Sequence, residues 1–345
     1  MQPDETFMRR EARECGAVVA RQRLENAALM ADLGAWLRAK PPPLVVTCGR
    51  GSSDHAASFA KYAIETRAGV MVASHAPSAS SLYGTAFKGL EGALFLAISQ
   101  SGKSPDILAS IVAARDAGAR VVALVNDAGS PAAGLADLVI PLHAGPERSV
   151  AATKSCVASI LAIVHLVAEW TGDNALDAAL DQAPAHLDQA FNTDWNAALD
   201  VMTDAASLFV IGRGLTFGIA QEAALKLKET SALHGEAFSA AEVRHGPMAL
   251  VGAGFPVLML APQDQTGASF PPLAQEFAAR GAKVFASSTQ ALAGALALPT
   301  QAGLHPLIAP ACQLTTFYNF AERLARARGC NPDAPPWLNK VTQTQ

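Results

Sequence analysis

The chain of 345 residues is long enough for two domains, each with a core of its own. Half of its residues are hydrophobic, 16% are charged and the formal net charge is −4, which excludes a disordered chain and argues against nucleic acid as a partner. The five cysteines form no Cys-x-x-Cys pair, so we expect reduced thiols and neither a disulfide framework nor a zinc site.

The sequence contains no segment that we expect to enter a membrane. Residues 1–5 are acidic and unlike a signal peptide. The longest apolar run, residues 156–168, is interrupted by Ser159 and His165 and is too short to span a bilayer. We therefore predict a soluble, cytoplasmic protein without a membrane partner.

Helical and strand-like segments alternate in the first half. Residues 6–38 predict one or two amphipathic helices, whose apolar positions are Met8, Ala12, Val19, Leu24, Met30, Leu33 and Leu37. Strands are predicted at 44–48, 70–74, 93–98, 120–126 and 136–142. Helices are predicted between most of them, and one over about 150–170 closes this half. The alternation predicts a parallel, doubly wound α/β sheet.

The pattern begins again after an alanine-rich helical stretch at 173–204. A strand at 208–211, a helix at about 217–231 and strands at 256–260 and 283–287 are predicted. Gly-Arg-Gly occurs at 49–51 and again at 212–214, each time between a strand and a helix, which indicates two tandem copies of one doubly wound α/β unit. We expect N-terminal helices at 1–38, a first domain at 39–172, a connector at 173–204, a second domain at 205–330 and a tail at 331–345.

A serine-rich loop at 99–104 follows one of these strands and precedes a helix. Its residues are Ser99, Gln100, Ser101, Gly102, Lys103 and Ser104. Hydroxyl groups at a helix N-terminus favour a bound phosphate, because the backbone N–H groups and the helix dipole attract anions there. Ser52 and Ser53 follow the first strand and are expected at the same sheet edge. The alternative is a capped helix without a ligand.

Two nucleotide-binding patterns are incomplete in this sequence. The Gly-Lys-Ser triplet at 102–104 is not a P-loop, because Ala97 occupies the position of the first glycine. Neither Gly-x-Gly turn continues to the third glycine of the dinucleotide fingerprint. The second half has Pro262, Gln263 and Asp264 in place of the serine loop, so we predict one phosphate site per chain and no cofactor.

Charged residues of the second half point to proton transfer. Glu222, Lys226 and Glu229 have the spacing i, i+4 and i+7 and share one helix face, a pattern that alone favours a solvated ion pair. The stretch 234–247, predicted to be rich in loops, adds His234 and His245 among carboxylates, and imidazole and carboxylate groups can move protons near neutral pH. No His-Glu-x-x-His spacing occurs, so no metal is predicted.

The C-terminal stretch 331–340 combines prolines with Trp337 and Lys340. Disordered tails rarely contain a large aromatic residue beside leucine. We expect this tail to fold back onto the body, where Lys340 could reach a ligand; the alternative is a solvated lysine near a frayed end.

Six motifs occur in order along nearly the whole chain. They are Gly51-Ser52-Ser53, Ser99-Gln100-Ser101-Gly102, Ala144-Gly145-Pro146-Glu147, Ala224-Leu225-Lys226-Leu227-Lys228-Glu229, Glu242-Val243-Arg244-His245-Gly246-Pro247 and Leu338-Asn339-Lys340-Val341-Thr342. With them the chain resembles the double sugar-isomerase (SIS) domain proteins. It resembles most the isomerase half of glutamine:fructose-6-phosphate aminotransferase and its stand-alone relatives, which include type II glucosamine-6-phosphate deaminases.

The resemblance implies a role for each matching residue. A sugar phosphate would be held by Ser53, Ser99, Gln100, Ser101 and Ser104, with Ser52, Glu147 and Ala152 as further substrate-binding positions. Glu229 would move a proton between C1 and C2 of the open-chain sugar, beside Lys226, which would lie near the developing oxyanion. His245 would assist ring opening from the neighbouring subunit, which implies a homodimer. Lys340 would form an imine with the keto sugar.

The sequence also departs from the synthase pattern. It shows no glutaminase domain, so we expect no ammonia supply from glutamine. Lys103 replaces the usual glutamate, Ala152 replaces a serine that touches the sugar, and Arg50 is typical of the stand-alone relatives. We expect conversion of glucosamine 6-phosphate to fructose 6-phosphate and ammonia. The alternatives are a fructosamine-6-phosphate deglycase and a sugar-phosphate-binding protein without turnover.

Overall fold

The computed structural model describes residues 5–340, so residues 1–4 and the predicted motif residues Val341 and Thr342 lie outside the described residues. The chain divides into two compact units. The first-sheet unit comprises Ala17–Glu147, Lys154–Gln182 and residues 339–340. The second-sheet unit comprises residues 5–16, Arg148–Thr153 and Ala183–Leu338.

The first-sheet unit contains five parallel strands. They are β1 (Val45–Cys48), β2 (Val72–Ser74), β3 (Leu94–Ser99), β4 (Arg120–Val125) and β5 (Leu138–Pro141), in the spatial order β2-β1-β3-β4-β5. Every residue of β3 is buried, as expected for an uncharged central strand that helices cover on both faces. The order reverses between β1 and β3, which is the point where doubly wound sheets open a crevice.

The second-sheet unit repeats this topology. Its strands are β6 (Ser207–Gly212), β7 (His234–Ser239), β8 (Pro256–Leu260), β9 (Lys283–Ser287) and β10 (Leu296–Leu298), in the order β10-β9-β8-β6-β7. Read from the other edge, this is the same order as in the first sheet. The predicted fold class, two tandem doubly wound parallel sheets, is therefore confirmed.

Helices surround both sheets. In chain order they are α1 (Phe7–Arg13), α2 (Cys15–Glu25), α3 (Ala27–Ala39), α4 (Ser52–Arg67), α5 (Pro77–Ser81), α6 (Pro105–Asp116), α7 (Pro131–Leu135), α8 (Lys154–Thr171), α9 (Asn174–Phe191), α10 (Leu199–Thr203), α11 (Phe217–Ser231), α12 (Phe270–Ala279) and α13 (Ala309–Ala327). Within the described part of the chain, α8 alone is long and apolar enough to cross a membrane. As in a core helix, 89% of it is buried inside the protein.

Two predictions about local structure are wrong. The segment 6–38 forms three helices instead of one or two, and Leu24 is exposed on α2 instead of buried. Residues 234–239, predicted as part of a loop-rich stretch, form the edge strand β7. The helix predicted over about 150–170 is confirmed as α8. The stretch 173–204 is largely helical, as predicted, and contains α9 and α10 with a break after Phe191.

Burial, assisted by the charge of Arg23, holds His165 of α8 in its neutral form. The Arg23 guanidinium of α2 donates to the Nε2 atom of His165 and is bound by Asp177 and Asp181. Burial lowers the pKa of His165 to about 4, and the charge of Arg23 adds to this against the opposing effect of Asp177 and Asp181.

This pKa predicts a loss of stability in mild acid. Because the unfolded histidine takes up its proton near pH 6.5, the unfolded state binds more protons between pH 6.5 and 4, and the free energy of unfolding falls as the pH drops. Between pH 7.5 and 5, His165 should lower the free energy of unfolding by about 2 kcal/mol. Urea unfolding at both pH values should therefore show a smaller decrease in this free energy for His165→Gln than for wild type. His186→Gln serves as the control, and equal losses in His165→Gln and wild type would contradict the prediction.

Candidate active site

The serine-bearing loops meet at the reversal point of the first sheet. Strands β1 and β3 pair in parallel, with Cys48 opposite Ala97, so both end at the same edge. Helix α4 begins at Ser52 and α6 begins at Pro105, each directly after one of these strands. Two helix N-termini with adjacent serines at one crevice form a suitable environment for an anion.

Two hydroxyl groups of the serine loop accept backbone hydrogen bonds and keep their own protons. Ser99 Oγ accepts a hydrogen bond from the Gly102 N–H at 3.1 Å, and Ser101 Oγ accepts one from the Lys103 N–H at 3.3 Å. Each hydroxyl proton can still be donated to a ligand. The Ser104 side chain makes no capping hydrogen bond in α6, which argues against a loop that serves only to cap the helix.

Glycine is required at the turn of this loop. Gly102 has a φ of +62°, and a Cβ atom at this position would lie 2.2 Å from the Ser130 Oγ. Ser52, Ser53, Gln100, Ser101 and Ser104 are half-buried, so a ligand can reach them, whereas Ser99 at the end of β3 is buried. The predicted phosphate-binding residues thus lie at two strand-to-helix connections at one edge of the first sheet.

The second-sheet unit contains a buried charged cluster on α11. The Nζ atom of Lys226 lies 3.3 Å from Glu222 Oε1 and 2.5 Å from Glu229 Oε2. Tyr318 of α13 donates its hydroxyl proton to Glu222 Oε1 at 3.0 Å. Glu222 and Lys226 are fully buried, so the interpretation of this helix face as solvated is wrong.

Glu229 is the member of this cluster that solvent reaches, since 21% of its side chain is exposed. It borders a cavity of about 770 Å³, walled by the end of α11 and by the segment 329–338. A carboxylate held by an ammonium group at the edge of a cavity can exchange a proton with a bound molecule. Sequence reasoning missed Tyr318, because its partner on α11 is distant in the sequence.

The tail folds back, as predicted, at two points. Asp333 accepts hydrogen bonds from the backbone N–H groups of Phe7 and Met8, each at 2.7 Å. Lys340 Nζ lies 3.0 Å from Glu147 Oε2, and Glu147 also accepts hydrogen bonds from Ser155. Trp337, expected to pack on the body, is instead 99% exposed.

Two predicted site residues lie apart from these clusters. His245 is exposed and follows a short 3₁₀ turn, Glu242–Arg244. Within the described part of the chain, no hydrogen bond or ion pair joins it to Glu229. Ala152 is half-buried, and its methyl group cannot donate a hydrogen bond to a sugar. The roles of both residues remain predictions.

Comparison with known families decides the family. Residues 43–169 and 201–310 match the model described as the SIS domain, one match for each sheet. The chain belongs to the SIS-domain family. The predicted resemblance is confirmed, and the repeated topology is that of two SIS domains.

Three relatives illustrate the range of this family. A glutamine–fructose-6-phosphate aminotransferase (isomerizing) from Zymomonas mobilis is 36% identical over 312 residues, which are 86% of this chain and 51% of the relative. This SIS-domain chain thus spans about half the length of that protein. A structure from Silicibacter pomeroyi DSS-3, provisionally named a phosphosugar isomerase, is 44% identical with a TM-score of 0.89, and the match covers 95% of this chain and 100% of that one. Glucosamine-6-phosphate deaminase from Thermotoga maritima shares the fold at 20% identity, with a TM-score of 0.78 over 98% and 100% of the two chains.

Proposed function

We propose that this SIS-domain protein is a phosphosugar isomerase that converts glucosamine 6-phosphate and water to fructose 6-phosphate and ammonia. The observation that carries the proposal is the buried Glu222-Lys226-Glu229 cluster, whose outer carboxylate borders a cavity. A protein that only binds a sugar phosphate needs the serine loop but has no need for such a base. The names of the relatives support a phosphosugar substrate.

The phosphate group is bound at the edge of the first sheet. The hydroxyl groups of Ser53, Ser99, Ser101 and Ser104 donate to its oxygens, and the N-termini of α4 and α6 add backbone N–H groups and favourable dipoles. This arrangement fixes one end of an open-chain sugar and requires no metal or cofactor.

Glu229 then moves the proton. His245 assists ring opening, which exposes the aldehyde at C1. Glu229 removes the proton from C2 to give an enolamine, while Lys226 stabilises the negative charge that develops on the C1 oxygen. Glu229 returns the proton to C1, which leaves an imine at C2. Water adds to this carbon, and ammonia leaves to give the ketone.

Lys340 acts at the ketose end of the reaction. After release of its ion pair with Glu147 and loss of the ammonium proton, its amine can add to the C2 ketone, and loss of water then gives an imine. Glu147 and position 152 line the sugar, and the methyl group of Ala152 cannot make the hydrogen bond that a serine would.

The proposal includes a homodimer in which His245 serves the neighbouring subunit; its exposure on one chain supports this. Mixing inactive Glu229→Gln and His245→Ala proteins and allowing the subunits to exchange should restore part of the activity, because one site of each mixed dimer has both residues. A mixture that exchanges subunits yet stays inactive would contradict the shared site.

A second candidate is a fructosamine-6-phosphate deglycase with the same chemistry. The cavity beside Glu229 favours it, because about 770 Å³ exceeds what ammonia needs and its wall includes Leu225, Pro335 and Pro336. An apolar substituent on the amine could occupy this space.

The deciding experiment measures ammonia from the purified protein with glucosamine 6-phosphate, with a fructosamine 6-phosphate and without sugar. Ammonia and fructose 6-phosphate released together from glucosamine 6-phosphate would support the deaminase. Turnover of the fructosamine alone would support the deglycase. If neither sugar reacts while both raise the melting temperature, the protein is a sugar-phosphate-binding protein without turnover.

Ser101→Ala should weaken binding of fructose 6-phosphate about 5- to 30-fold, because one charge-assisted hydrogen bond worth about 1–2 kcal/mol is lost. Calorimetric titration measures the effect. Ser288→Ala is a matched control, since Ser288 follows β9 of the other sheet and its Oγ likewise accepts a hydrogen bond from the N–H two residues later. Equal affinity of Ser101→Ala and wild type would remove Ser101 from the site.

A further inference from the structure

Arg50 lies at the crevice of the first sheet, between the end of β1 and the start of α4. Its Nε atom donates to Asp106 Oδ2 at 2.8 Å, and Asp106 is completely buried in the first turn of α6. The other oxygen of Asp106 accepts the Ile107 N–H at 2.9 Å, so the carboxylate is fixed. Arg50 therefore links the N-termini of the two helices that flank the crevice.

The bond through Nε leaves the outer part of the guanidinium available. Within the described residues, Asp106 is the only hydrogen-bond partner of the Arg50 side chain, although the charge of Arg50 also acts on the nearby Asp54, where it opposes the rise in pKa that burial causes. Its two Nη groups carry four N–H donors, and the side chain is 48% exposed, so a ligand in the crevice can reach it. The hydrogen bond to Asp106 also orders the Arg50 side chain before any ligand binds.

We propose that Arg50 binds the phosphate of the sugar through its two Nη groups and makes the crevice selective for phosphorylated over neutral sugars. The inference rests on the proposed function, in which this crevice holds the phosphate. A planar guanidinium matches two phosphate oxygens at once, which serine hydroxyls and a lysine cannot do. The competing interpretation is that Arg50 only neutralises the buried charge of Asp106.

The test compares Kd values for fructose 6-phosphate and inorganic phosphate, measured by calorimetry on the 345-residue protein. Arg50→Ala should weaken both by about 10- to 100-fold, the loss expected for a charge-assisted pair of hydrogen bonds. Arg50→Lys keeps the positive charge but lacks the planar pair of Nη groups, and it should weaken binding of both compounds by about three- to tenfold. Arg67→Ala removes the same charge from the exposed last turn of α4 and should match wild type.

A double variant separates binding from charge neutralisation. If Arg50 binds phosphate, Arg50→Ala combined with Asp106→Asn stays as weak as Arg50→Ala. Recovery of wild-type affinity in the double variant would overturn the inference, because the arginine would then serve only Asp106. Should Arg50→Ala fail to fold, Arg50→Lys and the double variant still decide between the two roles.

The outcomes also separate this inference from the proposed function. Wild-type protein that binds neither phosphate compound would overturn both. Wild-type protein that binds them with an affinity that Arg50→Ala retains would overturn the role of Arg50 alone and leave the serine loop as the phosphate site.

Discussion

Glu229→Gln is expected to lower the turnover of glucosamine 6-phosphate by about 10²- to 10⁴-fold, the contribution usual for a general base. The amide has nearly the shape of the carboxylate but cannot accept the C2 proton. The Kd for fructose 6-phosphate should stay within a few-fold of wild type, because the phosphate is bound by other residues. Steady-state kinetics and calorimetry on the same preparation measure both quantities.

Glu236→Gln provides the control for this experiment. Glu236 is an exposed glutamate on β7 of the same unit, and its replacement removes one carboxylate outside the proposed site. Full turnover in Glu229→Gln would show that another group is the base. Equal losses of turnover and of binding would indicate that Glu229 holds the substrate instead of moving its proton.

Lys226→Met is expected to lower the free energy of unfolding by about 3–5 kcal/mol, the usual cost of removing one partner from a buried ion pair. The substitution takes away the ammonium 3.3 Å from Glu222, whose carboxylate is completely buried. Adding Glu222→Gln should recover much of this loss, because the amide oxygen can still accept the Tyr318 hydroxyl proton.

Urea unfolding of the single and double variants measures this effect. Lys228→Met is the matched control on the same helix. Lys228 is exposed and donates to the Gly235 carbonyl oxygen, so its replacement should lower the free energy of unfolding by about 1 kcal/mol. A loss below about 1 kcal/mol in Lys226→Met, or no recovery in the double variant, would show that the buried pair is not what stabilises α11.

The sequence predicts most strands because their residues are apolar and turn residues separate them from the helices that alternate with them. The bounds of β8 and β9 agree with the prediction, and both are apolar strands inside a parallel sheet. β7 could not be predicted in this way. Its sequence His-Gly-Glu-Ala-Phe-Ser is polar because it pairs only with β6 and lies at the sheet edge, where apolar residues are not required.

The sequence predicts which residues belong to the candidate site, but it does not predict the contacts that these residues make. The spacing of Glu222, Lys226 and Glu229 shows that they share a helix face, but their burial depends on Tyr318 and α13, about 90 residues further along the chain. Likewise, Arg50 stood out in the sequence only as a departure from the synthases. Its bond to Asp106 depends on the pairing of β1 with β3.

The hydrogen bonds from Phe7 and Met8 to Asp333 have a consequence for synthesis on the ribosome. The sheet and most helices of the first-sheet unit lie within residues 17–182, so this unit can fold while translation continues. Helix α1 emerges before this unit, but its N–H groups at Phe7 and Met8 can donate to Asp333 only when residue 333 has left the exit tunnel. Helix α1 is thus synthesised before the other helices of the described residues, yet it is among the last to be secured.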